Sequence, residues 1–379
     1  MSATNQKAPV SAIVLAAGMS SRMGTAKQLL PIGQHTLLGQ TLQNLRESSV
    51  GEIILVLGFR AEEIQAQIVI DGLRIVTNEA YREGMASSLR LGISMVDSAA
   101  EAALIVLADQ PLVRPGTLNQ LIVEYQTHRP EILIPLYRGF RGNPVLLDRA
   151  VFPEVSALSG DIGFRAIFGN HVKTTRRIAV ADPGILLDAD SLEDMETLRQ
   201  AYANADGLVA LPEFEERTAA PVVSQPQLIL VGHDAMTQTL ATLGRLLNFT
   251  VTVADPFLTL QEAPEADAVL RVLDFTRLTA ASARYVVVAT QGRFDEEAVE
   301  HALLAECAYV ALVASKRRAQ QLTRSLQERG VAPEKIAALR APGGFEIGAE
   351  TPAEIALSIM AQIVSEYHLN QAGKRHIPA

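Results

Sequence analysis

The chain of 379 residues is long enough for two or three domains of about 150 residues, each able to bury a hydrophobic core. Hydrophobic residues make up 48% of it and charged residues 20%, which excludes an intrinsically disordered protein. Its formal net charge of -9 argues against a general nucleic-acid-binding protein but is compatible with a local basic pocket for a phosphorylated small molecule.

The same composition indicates where the protein works. A single cysteine, Cys307, excludes an internal disulfide framework and fits a reducing compartment. Residues 1–9 are polar and lack the apolar core of a secretory signal, and no apolar run approaches the roughly 20 residues that cross a bilayer. We therefore expect a soluble cytoplasmic protein that contacts neither a membrane nor nucleic acid.

Residues 1–204 alternate short apolar runs with amphipathic stretches, which is typical of an α/β domain with an open, mostly parallel, twisted sheet. The predicted strands cover residues 11–17, 52–57, 73–77, 103–108, 132–135 and 185–187. Stretches with apolar residues at three-to-four spacing predict helices over residues 37–47, 61–68, 87–96, 115–128 and 191–203.

Residues 205–226 differ in composition from the preceding part, since they are rich in proline and glutamate and have hardly any hydrophobic periodicity. We interpret them as an interdomain linker. Residues 227–379 then repeat the α/β pattern, which predicts a second open, mostly parallel, twisted sheet. Its strands are predicted at 228–231, 250–253, 285–289 and 309–313, and its helices at 235–247, 296–304, 317–329 and 352–367.

A glycine-containing loop follows the first predicted strand. Its small residues allow successive backbone N–H groups to turn inward as an anion-binding nest. Arg22 and Lys27 add a planar and a compact cation, which together suit a triphosphate. This is not the Walker motif, because no Gly-Lys-Ser/Thr follows, and the dinucleotide fingerprint has a different glycine spacing. A glycine-rich turn without a ligand is the alternative. The predicted nucleotide-binding residues in and beside the loop are Ala17, Gly18, Ser20, Ser21 and Gly24.

Carboxylates follow two of the predicted strands. Asp109 ends one strand and lies where open α/β sheets bind ligands. Asp188 and Asp190 follow another strand and share one face if that strand continues through them. Because Mg²⁺ prefers a few carboxylates together with phosphate oxygens and water, we predict that these three aspartates bind it. The alternative for Asp190 is an N-cap of the helix that begins near Leu192.

A loop-to-helix junction offers a candidate site for the nucleobase. Hydroxyl groups and N-terminal amides at such a junction are able to meet a base or a phosphate. The alternative is that Ser87 only caps the helix predicted over residues 87–96. The candidate residues are Arg82, Gly84, Ser87 and Ser88.

These motifs together resemble a superfamily of nucleotidyltransferases that activate sugars, isoprenoid precursors or molybdopterin. The segment of this chain that resembles the superfamily signature is Leu15-Ala16-Ala17-Gly18-x-Ser20-x-Arg22-Met23-Gly24 followed by Lys27. Within that superfamily, residues 10–203 are similar to the molybdenum cofactor cytidylyltransferases. The further matching segments are Asn78 with Gly84-Met85-x-Ser87-Ser88-Leu89, Ala108-Asp109-Gln110-Pro111, Arg141-Gly142-Asn143-Pro144-Val145, Ser159-Gly160-Asp161-x-Gly163 and Leu187-Asp188-Ala189-Asp190.

The resemblance implies a Rossmann-like nucleotidyltransferase domain that transfers CMP from CTP to molybdopterin with Mg²⁺, giving molybdopterin cytosine dinucleotide and pyrophosphate. It implies catalytic roles for Arg22, Lys27 and Asp109. It also implies that Asn143 and Asp161 contact the pterin acceptor, although glycine- and proline-rich turns without a ligand have the same composition.

The implied reaction makes few chemical demands. The attacking phosphate of the acceptor is largely ionised at neutral pH, because its second pKa is about 6, so no general base is needed. Catalysis then consists of positioning and charge neutralisation. Guanylyl-transferring relatives usually carry Gly-Gly where this chain has Ala17-Gly18, so the resemblance favours CTP. Our hypothesis is that the Ala17 methyl group narrows the base pocket toward a pyrimidine.

The C-terminal half begins like a Rossmann unit. A strand precedes Gly232, and Asp255 ends the next strand, where such an acid binds a ribose. The Gly-x-Gly-x-x-Gly fingerprint is missing, however, because only Gly232 is present, followed by His233 and Asp234. The sequence therefore argues against dinucleotide binding in this half.

Residues 284–364 resemble the Rossmann domain of the xanthine dehydrogenase accessory proteins. The resemblance implies a domain that handles the molybdenum cofactor or delivers it to a molybdenum hydroxylase. Cys307 is then either a buried inert thiol or a sulfur carrier. The matching segments are Tyr285-Val286-Val287-Val288, Asp295-Glu296, Tyr309-Val310-x-Leu312, Ser315-Lys316-Arg317-Arg318, Ala341-Pro342, Ile347-Gly348-Ala349 and Thr351-Pro352-x-Glu354-Ile355-Ala356-x-Ser358-Ile359.

Two other functions remain open. The chain is alternatively a nucleotidyltransferase that uses GTP or acts on a sugar or isoprenoid phosphate, but the attached C-terminal half argues against those acceptors. It is alternatively a non-catalytic chaperone for the molybdenum cofactor. The presence of Gly18, Arg22, Lys27 and Asp109 argues against a chaperone, because a pure binding protein has no need of the metal-binding carboxylate.

Overall fold

The computed structural model describes residues 10–19, 26–160, 164–190, 192–203, 211–217, 225–278, 283–305 and 307–375. The chain divides into two compact units, Met1–Tyr137 with Arg141–Ala210 and Arg138–Phe140 with Leu211–Ala379. Among the described residues, no helix combines the length and the hydropathy that a membrane span requires.

The first unit is an eight-stranded sheet with helices on both faces, plus a small hairpin formed by β2 and β3. Its strands are β1 (Val10–Ala16), β2 (Pro31–Ile32), β3 (His35–Thr36), β4 (Glu52–Leu57), β5 (Leu73–Thr77), β6 (Ala102–Leu107), β7 (Ile132–Tyr137), β8 (Phe140–Arg141), β9 (Val145–Asp148) and β10 (Thr175–Ala179). Its helices are α1 (Leu37–Arg46), α2 (Ala61–Gln65), α3 (Met85–Ser94), α4 (Pro115–His128), α5 (Phe152–Ser156) and α6 (Leu192–Ala203).

The strand order of this sheet is β10-β7-β9-β6-β1-β4-β5, with β8 paired to β7. Strand β9 runs antiparallel to β6 and β7, whereas β1 is parallel to both β4 and β6. After β1 the chain first forms β4 and β5 on one side of it, and then β6 on its other side. The order therefore reverses between β1 and β6, which opens a crevice at their carboxyl ends.

Strand β1 shows why the sheet forms. Almost all of its residues are buried, because helices cover both faces of the sheet. Since side chains alternate along a strand, Ala12 and Val14 join the hydrophobic core on one face and Ile13 joins the core on the other. Helix α1 begins where the Thr36 side chain accepts a hydrogen bond from the Gly39 amide, and α4 begins at Pro115, as helix starts favour.

The predicted strand at residues 185–187 is wrong. A 3₁₀ helix, Pro183–Leu186, occupies this position, and the Asp182 side chain caps it by accepting from the Gly184 amide at 3.0 Å. A Cβ atom at Gly184 would lie 2.2 Å from the Leu112 carbonyl oxygen, so this segment packs too closely for an ordinary strand residue. The edge strand β10 was not predicted, because Arg176 and Arg177 interrupt its apolar pattern.

The second unit contains a seven-stranded sheet in the order β11-β14-β13-β12-β15-β16-β17. Six strands are parallel, and counted from β12 they follow the 3-2-1-4-5-6 order of a Rossmann sheet, which confirms the predicted fold class. The strands are β11 (Phe214–Glu216), β12 (Gln227–Val231), β13 (Thr250–Ala254), β14 (Ala268–Leu270), β15 (Arg284–Val288), β16 (Tyr309–Leu312) and β17 (Leu339–Arg340). The helices are α7 (Ala235–Leu246), α8 (Asp295–Leu304), α9 (Lys316–Glu328), α10 (Pro333–Ala337) and α11 (Pro352–Arg375).

The stretch predicted as a linker, residues 205–226, is in part a piece of the second unit. Strand β11 lies within it and pairs antiparallel with β14. The fully buried side chain of Arg271 forms an ion pair with Glu215 of this strand. It also donates hydrogen bonds to the carbonyls of Pro212, just before the strand, at 2.8 Å, and of Leu258 at 2.7 Å. The proline- and glutamate-rich composition concealed the strand, because edge strands need little hydrophobic alternation.

A histidine flanked by two carboxylates ties together part of the first unit. Nδ1 of His171 lies 2.6 Å from Oε2 of Glu131, and Nε2 lies 2.8 Å from Oε1 of Glu154. His171 ends the 3₁₀ segment Phe164–His171, while Glu154 belongs to α5 and Glu131 precedes β7. The imidazole thus joins three elements.

The three groups change each other's pKa values. Burial lowers the pKa of His171, but hydrogen bonds to Glu131 and Glu154 outweigh burial and raise it. The pKa of Glu131 is lowered by hydrogen bonds from Thr174 and His171. The pKa of Glu154 is lowered by hydrogen bonds from Asn170 and His171.

The raised pKa predicts pH-dependent stability. The contribution of protonated His171 is fully present below its unfolded pKa of about 6.5 and is lost as the pH rises through the higher folded pKa. We expect His171→Gln to lower the free energy of unfolding in urea more at about pH 6 than at about pH 9. The exposed His35 provides the control, His35→Gln, which should show no such difference. An equal or larger loss at the higher pH would contradict the assignment.

Candidate active site

A cleft of about 690 Å³ lies at the carboxyl ends of β1 and β6, where the strand order reverses. Of the predicted site residues that the structure describes, all except Ser87 line it. Five predicted residues, Ser20, Ser21, Arg22, Gly24 and Asp161, lie outside the described residues. The predicted residues in the cleft are Ala17, Gly18, Lys27, Arg82, Gly84, Ser88, Asp109, Asn143, Asp188 and Asp190.

Lys27 joins two carboxylates that line this cleft. Its Nζ atom lies 2.5 Å from Oδ2 of Asp109 and 2.8 Å from Oδ1 of Asp190. The side chains of Lys27 and Asp109 are 17% and 14% exposed, whereas that of Asp190 is 54% exposed. The structure therefore brings together three residues that are far apart in the sequence, and we name them the Lys27 cluster.

The ammonium group in this cluster is charged at neutral pH. Burial lowers the pKa of Lys27, but the attraction of Asp109 and the hydrogen bonds to Asp109 and Asp190 outweigh burial and raise the pKa above its ordinary value. A protonated lysine between two carboxylates is a strong, charge-assisted arrangement. The cluster thus carries one negative charge in excess when both aspartates are ionised.

Backbone contacts place the two aspartates beside each other. Asp109 follows β6, and its carbonyl oxygen accepts a hydrogen bond from the Ala189 amide at 3.2 Å. The Asn143 amide donates to the Ile185 carbonyl at 2.9 Å, which fixes the segment that leads to Asp190. The condition under which Asp188 and Asp190 would share one face of a strand is not met, because a 3₁₀ helix and these backbone contacts occupy the segment before them.

Gln28 is a residue of the cleft that the sequence analysis missed. Its side chain is 2% exposed, and Nε2 donates to the carbonyls of Ala16, at 3.0 Å, and Gly18, at 3.4 Å. The amide of Gln28 thus holds the end of β1 in the shape that presents Ala17 and Gly18 to the cleft. A polar residue between Lys27 and an apolar pair was the available signal.

At the predicted base-binding junction, Ser87 is buried in hydrogen bonds within the protein, whereas Ser88 faces the cleft. Helix α3 begins at Met85 with Gly84 as its N-cap, so Ser87 is not the cap. Ser87 is buried and its Oγ lies 2.8 Å from both Asn78 Nδ2 and the Gly84 carbonyl. Ser88 also accepts from Asn78, at 2.9 Å, but it lines the cleft.

Tyr81 is a second cleft residue that the sequence analysis missed. The Arg82 guanidinium lies over the Tyr81 ring, 5.7 Å from its centre. Gly58 packs behind both Tyr81 and Ala17, since a Cβ atom at Gly58 would lie 2.8 Å from the Cβ atom of each. The cleft wall therefore depends on glycine, which has no side chain, at position 58.

The carboxylates of the cluster fit a divalent cation whose remaining ligands come from phosphate and water. Asp109 and Asp190 both reach one cationic nitrogen, and Asp188 lines the same cleft. No group of three or more His, Cys, Asp or Glu side chains arranged for a metal occurs in the described part of the chain. Two carboxylates without further protein ligands are typical of Mg²⁺ sites in which phosphate and water supply the remaining oxygens.

In the second unit, the positions that bind a dinucleotide in a Rossmann sheet are occupied by the protein's own side chains. The Asp234 carboxylate accepts from the amides of Met236, at 3.1 Å, and Thr237, at 2.9 Å, at the start of α7. The Asp255 carboxylate accepts from the amides of Phe257 and Leu258. These contacts agree with the missing glycine fingerprint.

Two other residues of this half bear on its chemistry, Arg318 and Cys307. The Arg318 guanidinium pairs with Asp295 at 3.4 Å and with Glu296 at 3.1 Å, so the basic turn at the start of α9 is partly neutralised. Burial raises the pKa of the Cys307 thiol to about 11. A thiol that stays protonated at neutral pH is a poor nucleophile, which favours the inert interpretation over a sulfur carrier.

Comparison with known proteins finds two families in the chain. Residues 12–175 match the MobA-like NTP transferase domain. Residues 228–363 match the XdhC Rossmann domain. The first match includes Lys27 and Asp109, and the second includes most of the parallel strands of the second sheet.

Two similar curated proteins are matched over nearly their whole length. Nicotine blue oxidoreductase of Paenarthrobacter nicotinovorans is 31% identical over 202 residues, which are 50% of this chain and 96% of that protein. Molybdenum cofactor cytidylyltransferase of Escherichia coli strain K12 is 24% identical over 196 residues, which are 51% of this chain and 97% of that protein. The uncharacterized protein YqeB of the same strain is 36% identical over 152 residues, but the match spans only 27% of YqeB.

A solved structure covers the same share of the chain. The Mycobacterium tuberculosis Rv0371c homolog from Mycobacterium sp. strain JC1 is 35% identical, with a TM-score of 0.48, over 52% of this chain and 99% of that one. The match to nicotine blue oxidoreductase and the two domain matches agree on the relationship. The chain belongs to the MobA-like NTP transferases, a nucleotidyltransferase family, and carries an XdhC Rossmann domain after its transferase domain.

Proposed function

We propose that the chain is a cytoplasmic, Mg²⁺-dependent cytidylyltransferase that transfers CMP from CTP to molybdopterin and releases pyrophosphate. The observation that carries the proposal is the Lys27 cluster, in which a lysine and two carboxylates share one cleft at the switch point of the sheet. The similarity to a molybdenum cofactor cytidylyltransferase supports CTP and the pterin acceptor. The XdhC Rossmann domain supports handling of the product or its delivery to a molybdenum hydroxylase.

The predicted site residues divide the work between binding and charge neutralisation. Lys27, Arg22 and the amides of the loop with Gly18, Ser20, Ser21 and Gly24 bind the triphosphate. Asp109 and Asp190, with Asp188 nearby, would hold Mg²⁺, which when bound neutralises charge on the reacting phosphates. The remaining positions contact the two organic groups. Ala17, Arg82, Gly84 and Ser88 serve the cytosine nucleoside, with Ser87 supporting their helix, and Asn143 and Asp161 serve the pterin.

The cleft needs no general base. The terminal phosphate of the acceptor is already largely ionised at neutral pH, since its second pKa is about 6. It attacks the α-phosphorus of CTP in line with the departing pyrophosphate. Holding the two phosphates in line and offsetting their charge is then the main contribution of the protein.

Pyrophosphate release on mixing the protein with CTP, Mg²⁺ and molybdopterin tests the proposal. We expect release with molybdopterin and none with sugar or isoprenoid phosphates. Lys27→Ala and Asp109→Ala should each lower turnover by about a hundredfold or more, because each removes charge stabilisation of the reacting phosphates. Both variants should keep the wild-type far-ultraviolet circular dichroism spectrum. Near-normal turnover in both would refute the assignment.

The name of one relative suggests a different chemistry on the same domain, since it is an oxidoreductase. An assay of redox turnover of nicotine blue, the compound in that relative's name, run beside the pyrophosphate assay, separates the two. Redox turnover without pyrophosphate release with any nucleotide would favour the redox function. Binding of molybdopterin with neither activity would favour the chaperone.

The choice of nucleotide tests the role of Ala17. We expect faster turnover with CTP than with GTP, because the Ala17 methyl group, which lines the cleft, leaves less room for a purine. Ala17→Gly should raise the ratio of GTP to CTP turnover. Faster use of GTP by the wild type would overturn the hypothesis.

Gly58 tests the cleft wall through a residue that does not touch the substrate. Gly58→Ala forces Ala17 or Tyr81 to move, so we expect kcat/KM for CTP to fall by about tenfold, as small misplacements in an active site do. Gly116→Ala on α4 is the matched control, because a Cβ atom there meets nothing within 4 Å. An unchanged kcat/KM in Gly58→Ala would show that the wall does not contribute to nucleotide binding.

A further inference from the structure

The Lys27 cluster has a feature that the transfer reaction does not require. Nζ of Lys27 lies within hydrogen-bonding distance of Asp109 and Asp190 at the same time. The ammonium therefore occupies the position between the two carboxylates that a divalent cation needs. Binding of a triphosphate by Lys27 does not by itself require contact with both aspartates.

We propose that Lys27 is an internal counter-ion that keeps divalent metal out of the nucleotide-free site and leaves it when a nucleotide binds. The inference rests on the proposed function, since it takes Asp109 and Asp190 as the metal-binding carboxylates. It makes metal binding conditional on nucleotide binding.

The electrostatics of the cleft give the reason. Two carboxylates at short distance in a partly buried cleft repel each other, and Asp109 is only 14% exposed. The Lys27 ammonium offsets this repulsion in the free protein. A metal ion that enters without nucleotide has to displace a charged group that is hydrogen-bonded to both of its ligands.

A bound triphosphate changes this balance. Its negative charges offer Lys27 a new partner in the same cleft, because Gly18 and Lys27 both line it. Movement of Lys27 toward the phosphates frees Asp109 and Asp190 for a cation. Each ligand then favours the binding of the other, which is the reciprocal coupling that linked sites show.

Mn²⁺ binding to the full chain without nucleotide tests the proposal. The free ion is counted by electron paramagnetic resonance. We expect Lys27→Met to bind Mn²⁺ about tenfold more tightly than the wild type, because the competing charge is gone. Lys27→Arg, which keeps the positive charge, should resemble the wild type. Asp109→Asn in the Lys27→Met background should abolish the tight binding. Equal or weaker Mn²⁺ binding by Lys27→Met overturns the proposal.

Thermal unfolding gives a second measurement that needs no acceptor. In the wild type, Mn²⁺ should raise the unfolding midpoint only when CTP is present, whereas in Lys27→Met it should do so alone. If Mn²⁺ alone raises the unfolding midpoint of the wild type as much as that of Lys27→Met, the proposal is wrong. Neither experiment uses molybdopterin, so a failed transfer assay and a failed metal experiment remain distinguishable.

Discussion

The candidate site depends on one electrostatic constraint, the sharing of a single ammonium group by two carboxylates. Asp109 and Asp190 stand 82 and 163 residues from Lys27 in the sequence, so the fold alone brings the three together. In a partly buried cleft two like charges do not stay close without compensation. The reversal of strand order between β1 and β6 and the backbone bond between Ala189 and Asp109 both serve to maintain this arrangement.

Residues without chemistry of their own hold the cleft in shape. The Gln28 side chain donates a hydrogen bond to the carbonyl at the end of β1. Gly58 and Gly184 allow neighbouring segments to pack closer than a side chain at either position would permit. Such residues act through geometry, because a displacement of about 1 Å at a reacting phosphate is enough to cost much of the rate. The cleft is thus a product of packing as much as of charged groups.

Much of the fold was predictable, and several of the failures involve contacts between distant parts of the chain. Strands β4 and β5 and helix α4 have the predicted bounds. Continuous apolar runs predict strands and three-to-four spacing predicts helices, because both patterns follow from which side chains are buried. The motifs also predicted most of the residues that line the cleft. The sequence did not predict the 3₁₀ helix Pro183–Leu186, strand β11 or the role of Gln28, since each depends on partners distant in the chain. The pairing of Lys27 with Asp190 belongs to the same class.

The cap at the start of α7 has a consequence for the second unit. A helix presents a partial positive charge at its N-terminus, which is the part of a Rossmann domain that attracts a diphosphate. The carboxylate of Asp234 already neutralises this pole and takes up the amides of Met236 and Thr237. A diphosphate group that was to use these amides would therefore first have to displace the Asp234 carboxylate from them.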